Sequence, residues 1–518
     1  MDNIASYITI SPEELASQNK KLLVKVSLLE TEISRLQKYL DFFIKKDYGK
    51  QSERFIDSDN IVPDLPGFEL PEELKTEDEN STIITEHKRR KNNKGVNNLI
   101  IPDHLEREVT VLDIPEADKL CPETNEELVE IGRDITERLA YKPGKCYVER
   151  VERPKYAKRG NALFGVVQHP AADTIIERSK FATNFMAHVV SQKYGCHMPL
   201  NRIHELLSFE GVKVSEQTMC SLVINIGQKV QPLIDLMTKK TFHQGVLFTD
   251  DTPLKLIVKG RGSAKQSYMW VYLGGKPNAP PYHIYKFSEG RSHANPIKHL
   301  KEFTGVIHAD AFGAYEKLND NPVSGIDWAA CWAHARRKFF ELGSSSILRT
   351  NVLKIMRNLS RLERLAWSCS PERRLEIRQN SEKKIVNNLF KYLKQYVITN
   401  FELLPKSNTA KAINYMLARE TQFNCYLDNP DIRMDNNPAE RALRKIVIGR
   451  KNWLFVGSIR SGESAANLFS LVQTCRALKI NPQEYLDDIF TRLMAHPARK
   501  LEELLPDRWL EIKSKSKS

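Results

Sequence analysis

Gly245-Val246-Leu247-Phe248-Thr249-Asp250-Asp251-Thr252-Pro253-Leu254-Lys255-Leu256-Ile257-Val258 is a run of apolar and β-branched residues broken in its middle by two carboxylates. It reads as a buried strand that carries acid at the end of its first apolar half. Two further strand-like runs follow, Ser267–Gly275 and Pro281–Phe287, with turn residues between them. His293–Phe303 reads as a helix, Gly305–Phe312 as a fourth strand and Ile326–His334 as a fifth strand running into a helical turn. Strands and helices in this order predict a mixed α/β domain. Residues 345–425 are largely helical in pattern and interrupt that domain before its last helix, which lies in Asp435–Phe455.

Upstream, Pro199–Gly211 is patterned as an amphipathic helix. A glycine turn and Ser215 as N-cap introduce a second helix. Helix, turn and capped helix is the outline of a helix-turn-helix, although an ordinary helical pair has the same outline. Residues 99–170 read as short strands and turns. Ser11-Pro12-Glu13-Glu14 is a capping box that opens a helix to about Lys46. Leu15, Leu22, Leu29, Leu36 and Phe43 repeat every seven residues, with Asn19, Val26, Ile33 and Leu40 between them. These are the d and a positions of a coiled coil, so a homodimer or higher homo-oligomer is expected through this segment. The alternative is a stripe packed on the chain's own domain. An acidic, proline-containing stretch from Asp57 to Glu79 reads as a linker. The basic run His87–Lys91 after it suits either phosphate or solvent.

The 518 residues carry a net charge of +13, with a pI near 9.1. That surplus suits a polyanion such as DNA, or simply a soluble basic protein. Eight scattered cysteines contain no CxxC pair, which fits a reducing cytoplasm. No apolar run approaches the roughly 18 residues that span a bilayer, and the start lacks a signal pattern. A cytoplasmic protein, nucleoid-associated when on DNA, with no membrane partner, is the expectation.

Asp250 and Asp310 each end the apolar part of a strand. A carboxylate there needs a partner, a hydrogen bond or a metal. If the two strands are neighbours, the like charges repel and a hard cation relieves them. Capping a turn is the plainer role for either. Asp251, next on the strand, is expected to face away from Asp250. Asn437 reads as an N-cap and Pro438 as the first helical residue, so Glu440 falls at the third position, where glutamate closes a capping box. Arg441, Arg444, Lys445, Arg450 and Lys451 follow it with Trp453, a set suited to phosphate contact and base stacking. His334, Arg337 and Lys338 form a similar group after the fifth strand. There is no GxxxxGK[ST] loop, no HExxH and no recognisable serine or cysteine triad, which removes ATP motors and zinc proteases as strong competitors.

Asp250-Asp251-Thr252-Pro253, His308-Ala309-Asp310-Ala311, Cys331–Phe340, Asp435–Arg441 and Gly449–Phe455 together resemble the large transposase of the insertion-sequence-sixty-six type. The resemblance runs in order from the amino-terminal coiled coil, through Tyr48–Arg54, to Leu504-Leu505-Pro506, and is most specific in the second half. It implies an RNase-H-like catalytic domain in which Asp250, Asp310 and Glu440 form a DDE triad that holds two magnesium ions, with manganese as a substitute. It also implies double-stranded DNA, as element ends and as target, for a substrate, and two small accessory proteins of the same element as partners. In the family a region like 121–160 carries two cysteine pairs for zinc. Here Cys121 remains from the first pair and Lys158-Arg159-Gly160-Asn161 stands in place of the second. A structural zinc site takes about four ligands, so zinc is not expected.

The whole chain is therefore read as multidomain α+β. Its expected parts are a coiled coil (1–50), a linker (51–98), a degenerate zinc-finger-like DNA-binding module (99–170) and a helical helix-turn-helix-like region (175–240). The RNase-H-like core (241–345) follows, then its all-helical insertion (346–430), the end of the core with the glutamate helix (431–475) and a helical tail (476–518). The expected activity is metal-dependent cleavage at the ends of an insertion sequence and transfer of the freed 3′-hydroxyl strand to target DNA. Alternatives are an inactive, domesticated DNA-binding protein and a nuclease of the same fold that does not join.

Overall fold

A computed structural model of the chain describes residues 144–515 apart from 158–165, 171–172, 261, 322–323, 344–345 and 401–402. The coiled coil, the linker with its basic run, most of the β-rich module and the cysteine replacement at 158–161 lie outside the described residues.

The architecture is mixed α/β with helices in the majority. A two-stranded antiparallel pair, β1 (Lys155–Ala157) and β2 (Val166–Gln168), comes first. Four helices follow: α1 (Thr183–Tyr194), α2 (Leu200–Phe209), α3 (Glu216–Lys229) and α4 (Gln231–Phe242). Ser215 caps α3 as its sequence position requires, its side chain accepting from the Thr218 N–H at 3.1 Å.

The main sheet contains β3 (Val246–Leu256), β4 (Lys265–Gly274), β5 (His283–Ser288), β6 (Gly305–Ala309) and β7 (Ile326–Ala330), in the order β5-β4-β3-β6-β7. The first three strands form an antiparallel meander. β6 and β7 then add on the other side of β3, parallel to it, each reached through a short helix: α5 (Ala294–His299) before β6 and α6 (Gly313–Asn319) before β7. Parallel neighbours need such crossovers, whereas the meander needs only turns. Gly305 opens β6 with φ +125°, and a Cβ there would stand 2.2 Å from the Gly245 carbonyl oxygen. Only glycine lets β6 start flush against β3.

Met269, Trp270, Val271, Tyr272 and Leu273 are buried in succession, because helices cover both faces of the sheet. On one face, the Thr249 hydroxyl meets the Tyr315 hydroxyl of α6 at 3.1 Å, and Tyr272 meets His299 of α5 at 2.9 Å. The other face takes two long helices, α13 (Asn437–Trp453) and α14 (Ile459–Ala477). There the Tyr285 hydroxyl donates to the Ala442 carbonyl and the Tyr285 N–H to Ser470. Asp250 shares this second face and Asp251 the first, as period-2 alternation demands.

Between β7 and α13 lies a helical block: α7 (Trp332–Phe340), α8 (Ile347–Ser368), α9 (Pro371–Ile377), α10 (Lys383–Thr399), α11 (Asn408–Leu417) and α12 (Glu420–Asn424). Its centre is Arg378, fully buried in a wide helical turn, Arg378–Glu382. The guanidinium pairs with Glu363 and donates to the carbonyls of Tyr426, Asn429 and Ile432. One side chain thereby ties α8 to the chain segment that leads into α13.

After α13 come β8 (Phe455–Val456), which pairs with the far end of β3, and α14, then α15 (Pro482–Arg492) and α16 (Pro506–Lys515). Helices from before and after the sheet pack together. Thr183 of α1 donates to Asp487 of α15 at 2.7 Å. Gly227 of α3 lies so close to Ser464 of α14 that a Cβ there would stand 2.5 Å from the serine Cβ. The helices of 175–240 and of 476–518 thus share a hydrophobic core with the sheet. Among the described residues no helix is long and apolar enough to cross a membrane.

Candidate active site

The last paired residues of β3 and β6 are Phe248 and His308. Asp250 and Asp310 each lie two residues further on, at matching positions on parallel neighbours. Adjacent strands run about 4.8 Å apart, so the pairing sets the two aspartates side by side where β6 ends. Burial pushes the Asp250 carboxyl up to about 8, and repulsion from Asp310, Asp251 and Glu440 adds to the rise. The N–H of Asp251 donates to Asp250 Oδ1 at 2.8 Å and offsets part of that cost.

Glu440 arrives from α13 through an anchor at the start of the helix. The side chain of Asn436, fully buried, donates through Nδ2 to the Thr249 carbonyl at 2.8 Å, and its backbone N–H points to the Cys331 sulfur at 3.1 Å. The Trp332 N–H donates to the Met434 carbonyl at 3.2 Å. The bond to Thr249 occupies the side of β3 left open between the end of β6 and the start of β8, and the other two tie the start of α13 to the start of α7. Glu440 lies one helical turn beyond the anchor.

The capping-box expectation for Glu440 is corrected here. The N-cap is Asn436 and Pro438 sits within the first two helical positions, so Glu440 falls at the fourth position, one beyond the box. Asn436 makes no side-chain cap: its Nδ2 is turned to β3, and its buried Oδ1 has no hydrogen-bond partner. Asp435 instead accepts from the Asn437 N–H at 3.1 Å. Glu440 Oε1 is buried without a hydrogen-bond partner. His334 Nε2 stands 3.7 Å from that oxygen, and Arg337 Nη2 4.0 Å from Oε2. Burial lowers the His334 imidazole below its ordinary range, against the raising pull of Glu440 and Asp310.

Asp251 lies on the opposite face and is paired. Arg291 Nη2 reaches Asp251 Oδ1 at 3.0 Å and Nε reaches both carboxylate oxygens at 3.1 Å. Sequence reading missed Arg291, which lies alone in the turn after β5, where neither spacing nor pattern marks it. His308 is a buried core residue, held neutral by burial that lowers it to about 3.

The basic residues separate into two groups. Arg441, Arg444, Lys451 and Lys338 are exposed, Lys445 less so, and Lys338 lies over the Tyr415 ring at 4.7 Å. Arg450 is committed to β3, donating to the Thr252 hydroxyl at 2.9 Å and to the Pro253 carbonyl. Trp453 turns inward against Gly449 and the Phe469 ring, 6.4 Å between centroids. The exposed apolar residues beside it are Leu454 and Phe455.

The carboxylates present only oxygen donors, the set a hard divalent cation takes. Among the described residues no three acidic, histidine or cysteine side chains are already gathered as a ligand set. The fit rests on the unpartnered Glu440 oxygen and on the raised, mutually repelling Asp250 carboxyl, both of which a cation would relieve.

Residues 178–464 match the model of a family described as "Transposase IS66 family", and residues 470–506 match "IS66 C-terminal element". Three proteins of Sinorhizobium fredii (strain NBRC 101917 / NGR234) are similar over most of their length. "Uncharacterized protein y4qI" is 33% identical over 417 residues, 78% of this chain and 76% of its own. "Uncharacterized protein y4hP" is 31% identical over 430 residues, 79% of this chain and 76% of its own. "Uncharacterized protein y4jD" is 30% identical over 423 residues, 79% of this chain and 81% of its own.

Proposed function

This chain belongs to the IS66 transposase family, and we propose that it is a DDE transposase that cuts the ends of an insertion sequence and joins them to target DNA. In this reading the sheet, with its central β3 and flanking parallel strands, is an RNase-H-like core, and the block from α7 to α12 is its helical insertion. The observation that carries it is that Asp310 and Glu440 lie near enough to Asp250, beside the end of β6, for their charges to repel its own. Burial, and then repulsion from its acidic neighbours, holds the Asp250 carboxyl well above its ordinary range, and a buried Glu440 oxygen has no hydrogen-bond partner.

Asp250, Asp310 and Glu440 would hold two magnesium ions, or manganese, whose charge activates the attacking oxygen and stabilises the leaving one. The protein's own part is placement. Asn436 fixes the start of α13 on β3, so that Glu440 faces the two aspartates. Arg337 lies beside Glu440, and the exposed cations Arg441, Arg444, Lys451 and Lys338 suit a phosphate backbone, with little sequence information of their own. Water attacks phosphorus at the element's end and the 3′-oxygen leaves as a hydroxyl. That hydroxyl then attacks a target phosphodiester in line and displaces a second 3′-oxygen. Oligomerisation through residues 11–46 and assistance from two accessory proteins belong to the same proposal.

Glu440→Gln is the direct test. Glutamine keeps the size and hydrogen-bonding reach of the side chain but not the charge a hard cation needs. On a duplex carrying the flanking repeats of the protein's own gene, the variant should bind DNA at matched salt and yield no cut strand. Cleavage at close to the wild-type rate would show that Glu440 is no ligand. Wild-type protein that cuts the duplex but forms no joined product would point to the nuclease alternative.

A further inference from the structure

We propose that Asp251 is a positioning residue whose task is to hold Arg291 away from Asp310, so that the oxygens of Asp310 stay available to a cation. The inference rests on the carboxylate site proposed above and adds a component to it.

Three contacts define the arrangement. The Arg291 fork closes on Asp251 at 3.0 and 3.1 Å. The same Nη2 stands 3.8 Å from Asp310 Oδ2, too far for a hydrogen bond and near enough for strong attraction. The guanidinium lies over the ring of Phe312, 4.5 Å from its centre, and Phe312 is two residues past Asp310. The cation is thus suspended between one carboxylate that grips it and another within a short swing.

The two carboxylates differ in a way that assigns the roles. The Asp251 side chain is 5% exposed and faces away from Asp250. A buried carboxylate needs a charged, hydrogen-bonding partner, and Arg291 supplies one in the two-pronged geometry that guanidinium favours. Asp310 is more open, 25% exposed, and sits at the matching position beside Asp250. Arg291 itself is 41% exposed on a turn, so on the solvent side little but the Asp251 grip fixes its head. Guanidinium keeps its charge at any working pH. Once released, it would settle on Asp310 and compete with a divalent cation for the same oxygens. Asp251 therefore serves the site without being a ligand.

A ligand role for Asp251 and the tether predict the same defect for Asp251→Asn and opposite outcomes when Arg291 is also replaced. The experiment titrates Mn²⁺ into the full-length chain at fixed pH and salt and reads free Mn²⁺ by electron paramagnetic resonance, with circular dichroism to check folding. Asp250→Asn should lose the tight site. Asp251→Asn should bind on the order of tenfold more weakly or worse, the scale of a new ion pair at a partly screened carboxylate. Asp251→Asn with Arg291→Gln should return to within about threefold of wild type, the coupling expected of residues in direct contact. Arg291→Gln alone should bind at least as tightly as wild type.

Wild-type affinity in Asp251→Asn overturns the tether while leaving the carboxylate site standing. So does a double variant as weak as the single one. Undiminished Mn²⁺ binding by Asp250→Asn, or none by wild type, overturns the carboxylate site itself. If Asp251→Asn fails to fold, the neutral Asn–Gln pair and Arg291→Gln still decide, because weaker binding by either contradicts competition from Arg291.

Discussion

Asp250→Asn should make the metal-free protein more stable in alkaline buffer, the reverse of what a damaging core substitution does. In the folded chain the Asp250 carboxyl rises from 3.8 to about 8, through burial first and then repulsion from Asp310, Asp251 and Glu440. A group with a raised folded pKa binds its proton more tightly in the native state. Its contribution is complete below the unfolded value and is lost as pH climbs through the folded one. The window is therefore about pH 4 to 8. Roughly four units at about 1.4 kcal/mol each give up to about 5 kcal/mol of native-state cost once the carboxylate is charged. Asparagine carries no charge at any pH, and its side-chain oxygen can still accept from the Asp251 N–H. In EDTA the two proteins should unfold at similar temperatures near pH 4. By pH 9 the variant should be ahead by roughly 5 °C, at about 1 °C per kcal/mol for a unit of this size. Adding Mn²⁺ at pH 9 should raise the wild type and leave the variant unmoved, so that the gap narrows. The assay is differential scanning calorimetry across pH, with and without chelator. Parallel pH profiles for the two proteins would refute the reasoning, since Asp250 would then carry no native-state charge penalty.

Two substitutions test how the site is held. Asn436→Ala removes the bond to the Thr249 carbonyl and leaves that buried oxygen unpaired; about 1–3 kcal/mol of stability should go in a urea titration, with DNA cleavage falling further as α13 loosens from β3. Arg378→Leu strips the pairing from Glu363 and from three backbone carbonyls; a loss of about 3–5 kcal/mol is expected, and limited proteolysis should cut the helical block first, whereas a protease-resistant variant would show that Arg378 is dispensable there.

The local elements were legible because their signals are local. Alternating and unbroken apolar runs mark β3 to β7, and Ser215 caps α3 by a rule that needs only neighbouring residues. Asp250 and Asp310 stood out for the same reason, as acids ending apolar runs. The face that Asp251 takes follows from strand geometry alone. Residues 1–143, where the heptads and the single remaining Cys121 lie, contribute sequence readings only.

What the sequence by itself determined is a mixed α/β chain with three acidic positions, a basic surplus and the motifs of its family. Tertiary structure alone decided what those positions meet. Asn436 and Thr249 are 187 residues apart, Arg291 and Asp251 are 40, and Arg450 and Thr252 are 198. Periodicity carries no information about such pairs, because it records which face a residue takes and not what packs there. So Glu440, legible as a helix cap, emerges as an acid with a buried oxygen lacking a hydrogen-bond partner, because the helix starts one residue earlier and the Asn436 N–H turns to Cys331. Trp453, legible as a base-stacking aromatic, turns to Phe469 because α14 packs behind it. Arg291 becomes visible only when the turn after β5 folds beside the end of β6, since an ion pair is fixed by distance in space and not by spacing in the chain.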